Sequence, residues 1–279
     1  MDAFHTFRVR PGKNGRLLTD VELWTAVLSV LKWQEKNGSI KLVTDSRGAD
    51  YIGQCGLLEF WDAVDVVLDG MDDLGWDEVV FWAGAKLYAL SRQTIPCVMI
   101  DLDFIVWQHM DFGVYGKDIA VIHREEVNND IYPDSSFFHF KDDWKLPDLF
   151  NWQIPACNTA FAYFGTKDLV RHYCNFAFEF MSMADTCNAG LPYMVFIEQR
   201  WLSMCAAQDQ VKIYEMASLN DLWQDKQQYF THVWGHKDIF RKNPEQAIEF
   251  CRKCAKRVEL DYPKQADYLH KLSWTEQYW

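Results

Sequence analysis

Short apolar runs alternate along the chain with longer segments of helical periodicity, the pattern of an α/β sheet. The run at 3–9 (AFHTFRV) predicts a strand. A helix follows over 20–36, opening on Thr19-Asp20 and apolar at Leu23, Val27, Val30 and Leu31. Residues 40–45 (IKLVTD) predict a second strand, ending in Thr44, Asp45, Ser46 and Gly48, residue types suited to a tight loop. A further helix and a strand at 64–69 complete the next unit. From Trp76 to Gln93 the spacing of Val80, Ala83, Leu87 and Leu90 predicts a helix with one buried face and Lys86 near its middle. The run at 96–106 (PCVMIDLDFIV) is almost continuously apolar, as a central strand covered on both faces would be.

Beyond it, a strand at 117–124 leads into a polar stretch from Glu125 to Leu149, long enough inside a compact domain to suggest a functional loop. A strand at 156–165, a helix over 167–184 and another over 192–207 follow. The run at 211–217 predicts a short strand, and 230–237 a strand or strand-like loop. After Asn243 the pattern is of two helices. The expected organisation is one α/β domain over 1–242 with a helical extension over 243–279.

With 49% hydrophobic residues, 13 Trp, 12 Tyr and 19 Phe among 279, the chain has ample material for a packed core. Lys and Arg total 28 against 40 Asp and Glu, a net charge of −12 that disfavours nucleic acid and anionic membrane surfaces. A phosphorylated ligand on such a surface needs local cations, and a divalent metal held by carboxylates supplies them. The start MDAFHTFRVRPG lacks a basic segment followed by an apolar run, and no stretch approaches the ~18 apolar residues of a spanning helix, so a cytoplasmic chain is expected. The eight cysteines follow no repeating frame and read as reduced thiols. Cys251 and Cys254 form a CxxC in a helical segment with no second pair to complete a zinc site.

The central feature is Asp101-Leu102-Asp103. In a strand, Asp101 and Asp103 would fall on one side where the apolar run gives out. Two adjacent carboxylates repel, so either protons stay on or a cation lies between them, and a hard divalent ion with oxygen ligands fits best. The plain alternative is one capping aspartate and one exposed.

This run resembles the DxD motif of GT-A glycosyltransferases. Further segments in order resemble the retaining branch that includes glycogenin and the bacterial lipopolysaccharide galactosyl- and glucosyltransferases. They are Lys86 in the preceding helix, Asn158-Thr159-Ala160-Phe161, Glu198-Gln199-Arg200-Trp201-Leu202, and His232-Val233-Trp234-Gly235-His236-Lys237. The likeness covers roughly residues 1 to 240. It departs at Glu198, where the family has Asp, and at Lys237, which follows Gly235 by two residues instead of three.

The resemblance implies a GT-A fold, a Rossmann-like mixed sheet flanked by helices. It implies Mn²⁺ or Mg²⁺ on Asp101, Asp103 and His232, with His236 a rival ligand. The diphosphate of a nucleotide sugar, a UDP-sugar in the first instance, would lie at that metal with Lys86, Leu102, Gly235 and Lys237 nearby. Asn158, Glu198 and Gln199 would hold sugar hydroxyls, and the nucleobase would sit over His5, Thr6, Thr44 and Asp45. Such chemistry needs cations to neutralise the departing diphosphate and a neutral histidine that leaves the metal electrophilic. Aromatic residues such as Trp107, Trp144 and Trp152 suit sugar stacking. The acceptor stays open among glycan, protein and small molecule. The rivals are a catalytically silent GT-A-like carbohydrate- or nucleotide-binding protein and a phosphohydrolase of the haloacid dehalogenase type, which also carries Asp-x-Asp after an apolar strand.

Overall fold

The structure, a computed structural model, describes residues 1–10, 12, 17–148, 150–187, 190–224 and 226–279. Leu149, the last residue of the long polar stretch, lies outside them. The strands are β1 (Ala3–Phe7), β2 (Ile40–Thr44), β3 (Ala63–Val66), β4 (Cys97–Ile100), β5 (Phe104–Val106), β6 (Ile119–Val121), β7 (Phe161–Phe164), β8 (Ile213–Glu215) and β9 (Phe230–His232). Among the described residues, seven of them form one sheet in the order β3-β2-β1-β4-β7-β6-β8. β7 runs antiparallel to its neighbours β4 and β6, and the other pairings are parallel. β5 and β9 make a separate antiparallel pair in which Phe104 faces His232.

The helices are α1 (Asp20–Lys36), α2 (Ser46–Gln54), α3 (Gly84–Ser91), α4 (Lys167–Met183), α5 (Leu191–Val195), α6 (Trp201–Gln208), α7 (Leu219–Trp223), α8 (His236–Lys242), α9 (Pro244–Asp261) and α10 (Pro263–Leu269). They cover both faces of the sheet. Alternation along β4 shows it directly: Val98 and Ile100 join a core with α1, α9 and α10, whereas Cys97 and Met99 join one with α3, α4 and α6. This is the mixed sheet flanked by helices expected from the sequence.

Local chemistry explains where elements begin. Thr19 and Glu22 form a reciprocal capping box at the start of α1. Asp45 caps α2 by accepting from Gly48 N at 3.1 Å, and Gly48 fits because a Cβ there would lie 2.1 Å from Thr44 Oγ1. α1 is buried nearly all round, including Trp24 and Trp33, because α9 covers the side turned away from the sheet. Trp24 packs edge-on against Trp274, Tyr278 and Trp279 from the end of the chain. Cys251 and Cys254 are buried in that seam, and among the described residues no disulfide links the cysteines.

Several expected elements are shorter or broken. The run at 96–106 is two strands in different sheets, joined by a turn at 101–103 that closes with Phe104 N on Asp101 O at 3.0 Å. The turn takes both aspartates out of the sheet, and their buried charge is met by ammonium groups, Asp101 by Lys86 and Asp103 by Lys237. The segment at 76–93 is helical only over Gly84–Ser91, so Lys86 sits in the first turn; Asp77 instead caps the preceding turn through Val79 N and Val80 N. The runs at 64–69, 117–124, 156–165 and 211–217 keep only β3, β6, β7 and β8. The helix expected over 192–207 passes from α5 through a π-helical turn, Phe196–Arg200, into α6. In the run at 230–237 the strand stops at His232 and α8 begins at His236.

Candidate functional site

The sheet order places the C-terminal ends of β1, β4 and β6 and the start of β7 along one edge, and a cleft of about 890 Å³ lies over it. That volume is in the range of ligand sites. Asp101 and Asp103 are at its floor because the turn after β4 delivers them there. Asp101 N remains tied to Ala160 O at 2.8 Å, and Asp103 O accepts from Val233 N at 3.1 Å. The β5–β9 pairing brings in His232, whose Nε2 is 4.0 Å from Asp103 Oδ2. Ligand atoms of Asp101, Asp103 and His232 all lie within 4.8 Å of one another. His236 is outside this group; it opens α8 and packs toward Phe240.

Two ammonium groups face the aspartates. Lys86 Nζ lies 2.7 Å from Asp101 Oδ1 and 2.5 Å from Glu198 Oε1, and reaches Thr159 O at 3.3 Å. Lys237 Nζ lies 2.9 Å from Asp103 Oδ2 and 3.8 Å from Glu22 Oε1. One ammonium thus serves two carboxylates at Lys86. Burial pushes Asp101 up to about 6, with Asp103 and Glu198 adding to it against the pull of Lys86. Burial also opposes the charge on Lys86, yet Asp101 and Glu198 hold its pKa above the ordinary lysine value. At Asp103 burial is outweighed by Lys237 and His232, and its pKa falls below the usual range. Burial lowers His232 to about 4, so its imidazole is neutral at pH 7 and able to donate a lone pair.

Glu198 and Gln199 lie on the π-helical turn, a distortion frequent at functional sites. The turn is held from outside: Tyr173 Oη donates to Glu198 O at 2.5 Å, Thr159 Oγ1 to Glu198 Oε1 at 2.9 Å, and Tyr132 Oη to Gln199 Oε1 at 2.6 Å. Asn158, just before β7, donates through Nδ2 to Glu125 Oε1 at 3.0 Å and accepts Ala160 N on Oδ1 at 3.3 Å. Leu102, Asn158, Glu198, Gln199 and Lys237 all line the cleft.

The expected nucleobase residues divide. Thr6 lines the cleft, and its Oγ1 is buried without a hydrogen-bond partner. His5 does not line it. Alternation turns His5 into the α1 face, where Ser29 Oγ lies 3.0 Å from Nε2 and Trp61 Nε1 donates to Nδ1 at 3.1 Å, and burial lowers its pKa to about 3. Thr44 and Asp45 are likewise spent on the fold, Thr44 Oγ1 on Asp45 O and the Asp45 carboxylate on Gly48 N, Val9 N and Arg47. Gly235 only precedes α8 and is not part of the lining. Of the aromatics singled out, Trp107 bonds Thr231, Trp144 bonds Glu179 and Trp152 stacks on Phe196, all off the cleft. Trp82 and Trp234 line it instead.

Thr159, Tyr132 and Glu125 were missed as site residues. For Tyr132 and Glu125 a signal existed, since both belong to the long polar stretch after β6. A second group of ligand atoms, from His172, Cys205 and Asp209, lies outside the cleft lining. There burial pushes the Cys205 thiol well up, against thiolate formation.

Residues 13–272 match the model of a family described as "Family of unknown function (DUF6734)". Among solved structures, the crystal structure of mouse xyloside xylosyltransferase 1 in its apo form is similar at 10% identity with a TM-score of 0.43, over 81% of this chain and 90% of that one. No curated protein matches the sequence.

Proposed function

We propose that this chain, which belongs to the DUF6734 family, is a metal-dependent glycosyltransferase that moves a sugar from a nucleoside diphosphate, UDP in the first instance, to an acceptor hydroxyl. The observation that carries the reading is the convergence of Asp101, Asp103 and a neutral His232 on the floor of a ligand-sized cleft, beside the Lys86–Glu198 pair. Two carboxylate oxygens and one imidazole nitrogen suit Mn²⁺ or Mg²⁺. Burial first, and then the charges of Asp103 and Glu198, raise Asp101, and a divalent cation beside it would offset both. Bound there, such an ion supplies positive charge opposite the leaving diphosphate.

In the transfer, the bond from the anomeric carbon to the diphosphate oxygen breaks and one to the acceptor oxygen forms. The hydroxyl proton leaves on the diphosphate. Lys237, on the first turn of α8, and Lys86 are the cations that meet the diphosphate's growing charge. Thr6, with its unpaired hydroxyl, binds the nucleoside. Glu198 is held by Lys86 and Thr159, and Gln199 by Tyr132, so both reach the sugar from fixed positions. Asn158 completes the sugar side. Retention at the anomeric carbon is what the resemblance to the glycogenin branch implies.

One observation favours a second reading. Asp101 and Asp103 already have ammonium partners, as they would in a metal-free nucleotide- or carbohydrate-binding protein. Calorimetry of UDP with Mn²⁺ and with EDTA, on the protein and on Asp103→Asn, separates the two. The proposal expects binding that needs metal and is lost in the variant. Equal affinity in EDTA sinks the metal role, and a panel of UDP- and GDP-sugars that yields no hydrolysis without acceptor favours the silent binder.

A further inference from the structure

The cleft is electrically lopsided, and the sheet order is the cause. β1 and β6 end on opposite sides of β4, in the order β1-β4-β7-β6. Past the end of β1 the lining carries Arg8 and Arg10 together with Glu22 and Glu78, Arg8 being bonded to Glu78 and Asp72, and at the centre Lys86 and Lys237 are paired with carboxylates. Past the end of β6 it carries Glu125, Glu126, Asn128 and Tyr132, and among the described residues no Lys or Arg lines that end. The nearby cations in sequence are turned away. Arg124 donates to Pro155 O at 2.5 Å, and the guanidinium of Arg200 is spent on the carbonyls of Tyr132, Pro133 and Trp152.

Resting on the glycosyltransferase reading above, we propose that the β6 end of the cleft selects an uncharged, hydroxyl-rich acceptor, a neutral sugar or glycoside, and rejects anionic ones. A phosphate or uronate placed there meets like charge with no counter-ion, an arrangement that costs enough to exclude a partner. A cation meets no such repulsion, and the selection is of neutral over anionic acceptors. Glu125 is already bonded to Asn158 Nδ2 at 3.0 Å and lies 3.8 Å from His123 Nε2, which leaves, among the described residues of this lining, the exposed Glu126 as the uncommitted carboxylate. The remaining polar groups, Asn128, Tyr132 and Asn158, are neutral donors and acceptors of the kind that sugar hydroxyls use. Trp82, 42% exposed, and Leu191, 45% exposed, both line the cleft, and their segments meet where Ala83 N lies 3.2 Å from Met194 Sδ of α5. An exposed indole takes the C–H face of a pyranose without a polar penalty.

The test uses the full chain, a nucleotide sugar that it hydrolyses, and two acceptor sets: neutral glycosides, and the corresponding uronic acids and 6-phosphates. Products are read by mass, and Glu126→Lys is run beside the unaltered protein after its melting curve shows that it folds. The expected result is product from neutral glycosides, little from the anionic set, and a rise of at least about tenfold in the anionic-to-neutral ratio in Glu126→Lys. Donor hydrolysis with anionic acceptors used as well as neutral ones overturns the inference and leaves the glycosyltransferase reading standing. An unmoved ratio in a folded Glu126→Lys also overturns it. Absence of hydrolysis on every donor removes the reading itself, and the inference with it.

Discussion

Lys86→Met is the most informative single change in the cleft. The side chain is 13% exposed and its ammonium stands between Asp101 at 2.7 Å and Glu198 at 2.5 Å, so its loss leaves two carboxylates facing each other without a cation. Breaking a buried pair from one side costs about 3–5 kcal/mol. Asp101 keeps 30% of its side chain open to cleft water, which places the effect at the lower end, about 3 kcal/mol. At about 2 °C per kcal/mol for a chain of this size, the melting temperature should fall by about 6 °C at pH 7.5. Protons or a divalent ion should restore much of it, because either removes the uncompensated charge. The drop should therefore shrink as pH falls, starting above pH 6 because Asp101, at about 6 beside Lys86, is raised further without it, and on addition of Mn²⁺. The double variant Lys86→Met/Glu198→Gln should recover at least ~1 kcal/mol of the loss, since the two positions are directly coupled. The assay is circular-dichroism melting across pH, with and without metal. A single variant that melts like the unaltered protein, or a double variant no more stable than the single, would refute the account of Lys86 as the shared counter-ion.

Three further outcomes are expected. The folded-state pKa of His232, about 4, lies below its ordinary 6.5, so its contribution to stability is full above 6.5 and lost as pH falls toward 4; Asp101 runs the other way, losing stability as pH rises from about 4 to 6. Mn²⁺ affinity should then hold from pH 8 to about 6 and weaken roughly tenfold per unit below it as Asp101 takes up its proton, a break near pH 6 that calorimetry reads and that a break near 7 would contradict. Tyr132→Phe removes the 2.6 Å bond to Gln199 and should lower kcat/KM about fivefold, for roughly 1 kcal/mol, while leaving Mn²⁺ affinity unchanged; a matching loss of metal affinity would assign Tyr132 a different role. Truncation after Lys242 strips Trp274, Tyr278 and Trp279 from Trp24 and uncovers α1, so cooperative melting should be lost, and a truncated chain that melts sharply would show 1–242 to be self-sufficient.

Burial and periodicity made much of this molecule legible. The helix over 20–36 opening on Thr19-Asp20 and the continuously buried strand at 97–100 follow from side chains acting on their own segment, so they are read off residue by residue. The clustering of Asp101, Asp103 and His232 was expected only through a likeness of motifs. Its structural basis differs from strand alternation: a turn carries the aspartates and a strand pairing brings in His232. His5 shows the limit most clearly. Its type and place beside Thr6 in β1 fit a ligand contact, but the face it takes is set by α1 and Trp61, which claim both ring nitrogens.

What composition and pattern established is the sheet, its helices and the candidate acids. What the tertiary structure alone decided is which polar atoms remain unspent. Lys237 takes Asp103 although its motif spacing is shortened, Trp82 and Trp234 line the cleft in place of Trp107, Trp144 and Trp152, and Glu126 lines an end of it where, among the described residues, no Lys or Arg is part of the lining. Hydrogen bonds and ion pairs form between residues distant in the chain, and a segment's own pattern carries no record of who its partner will be.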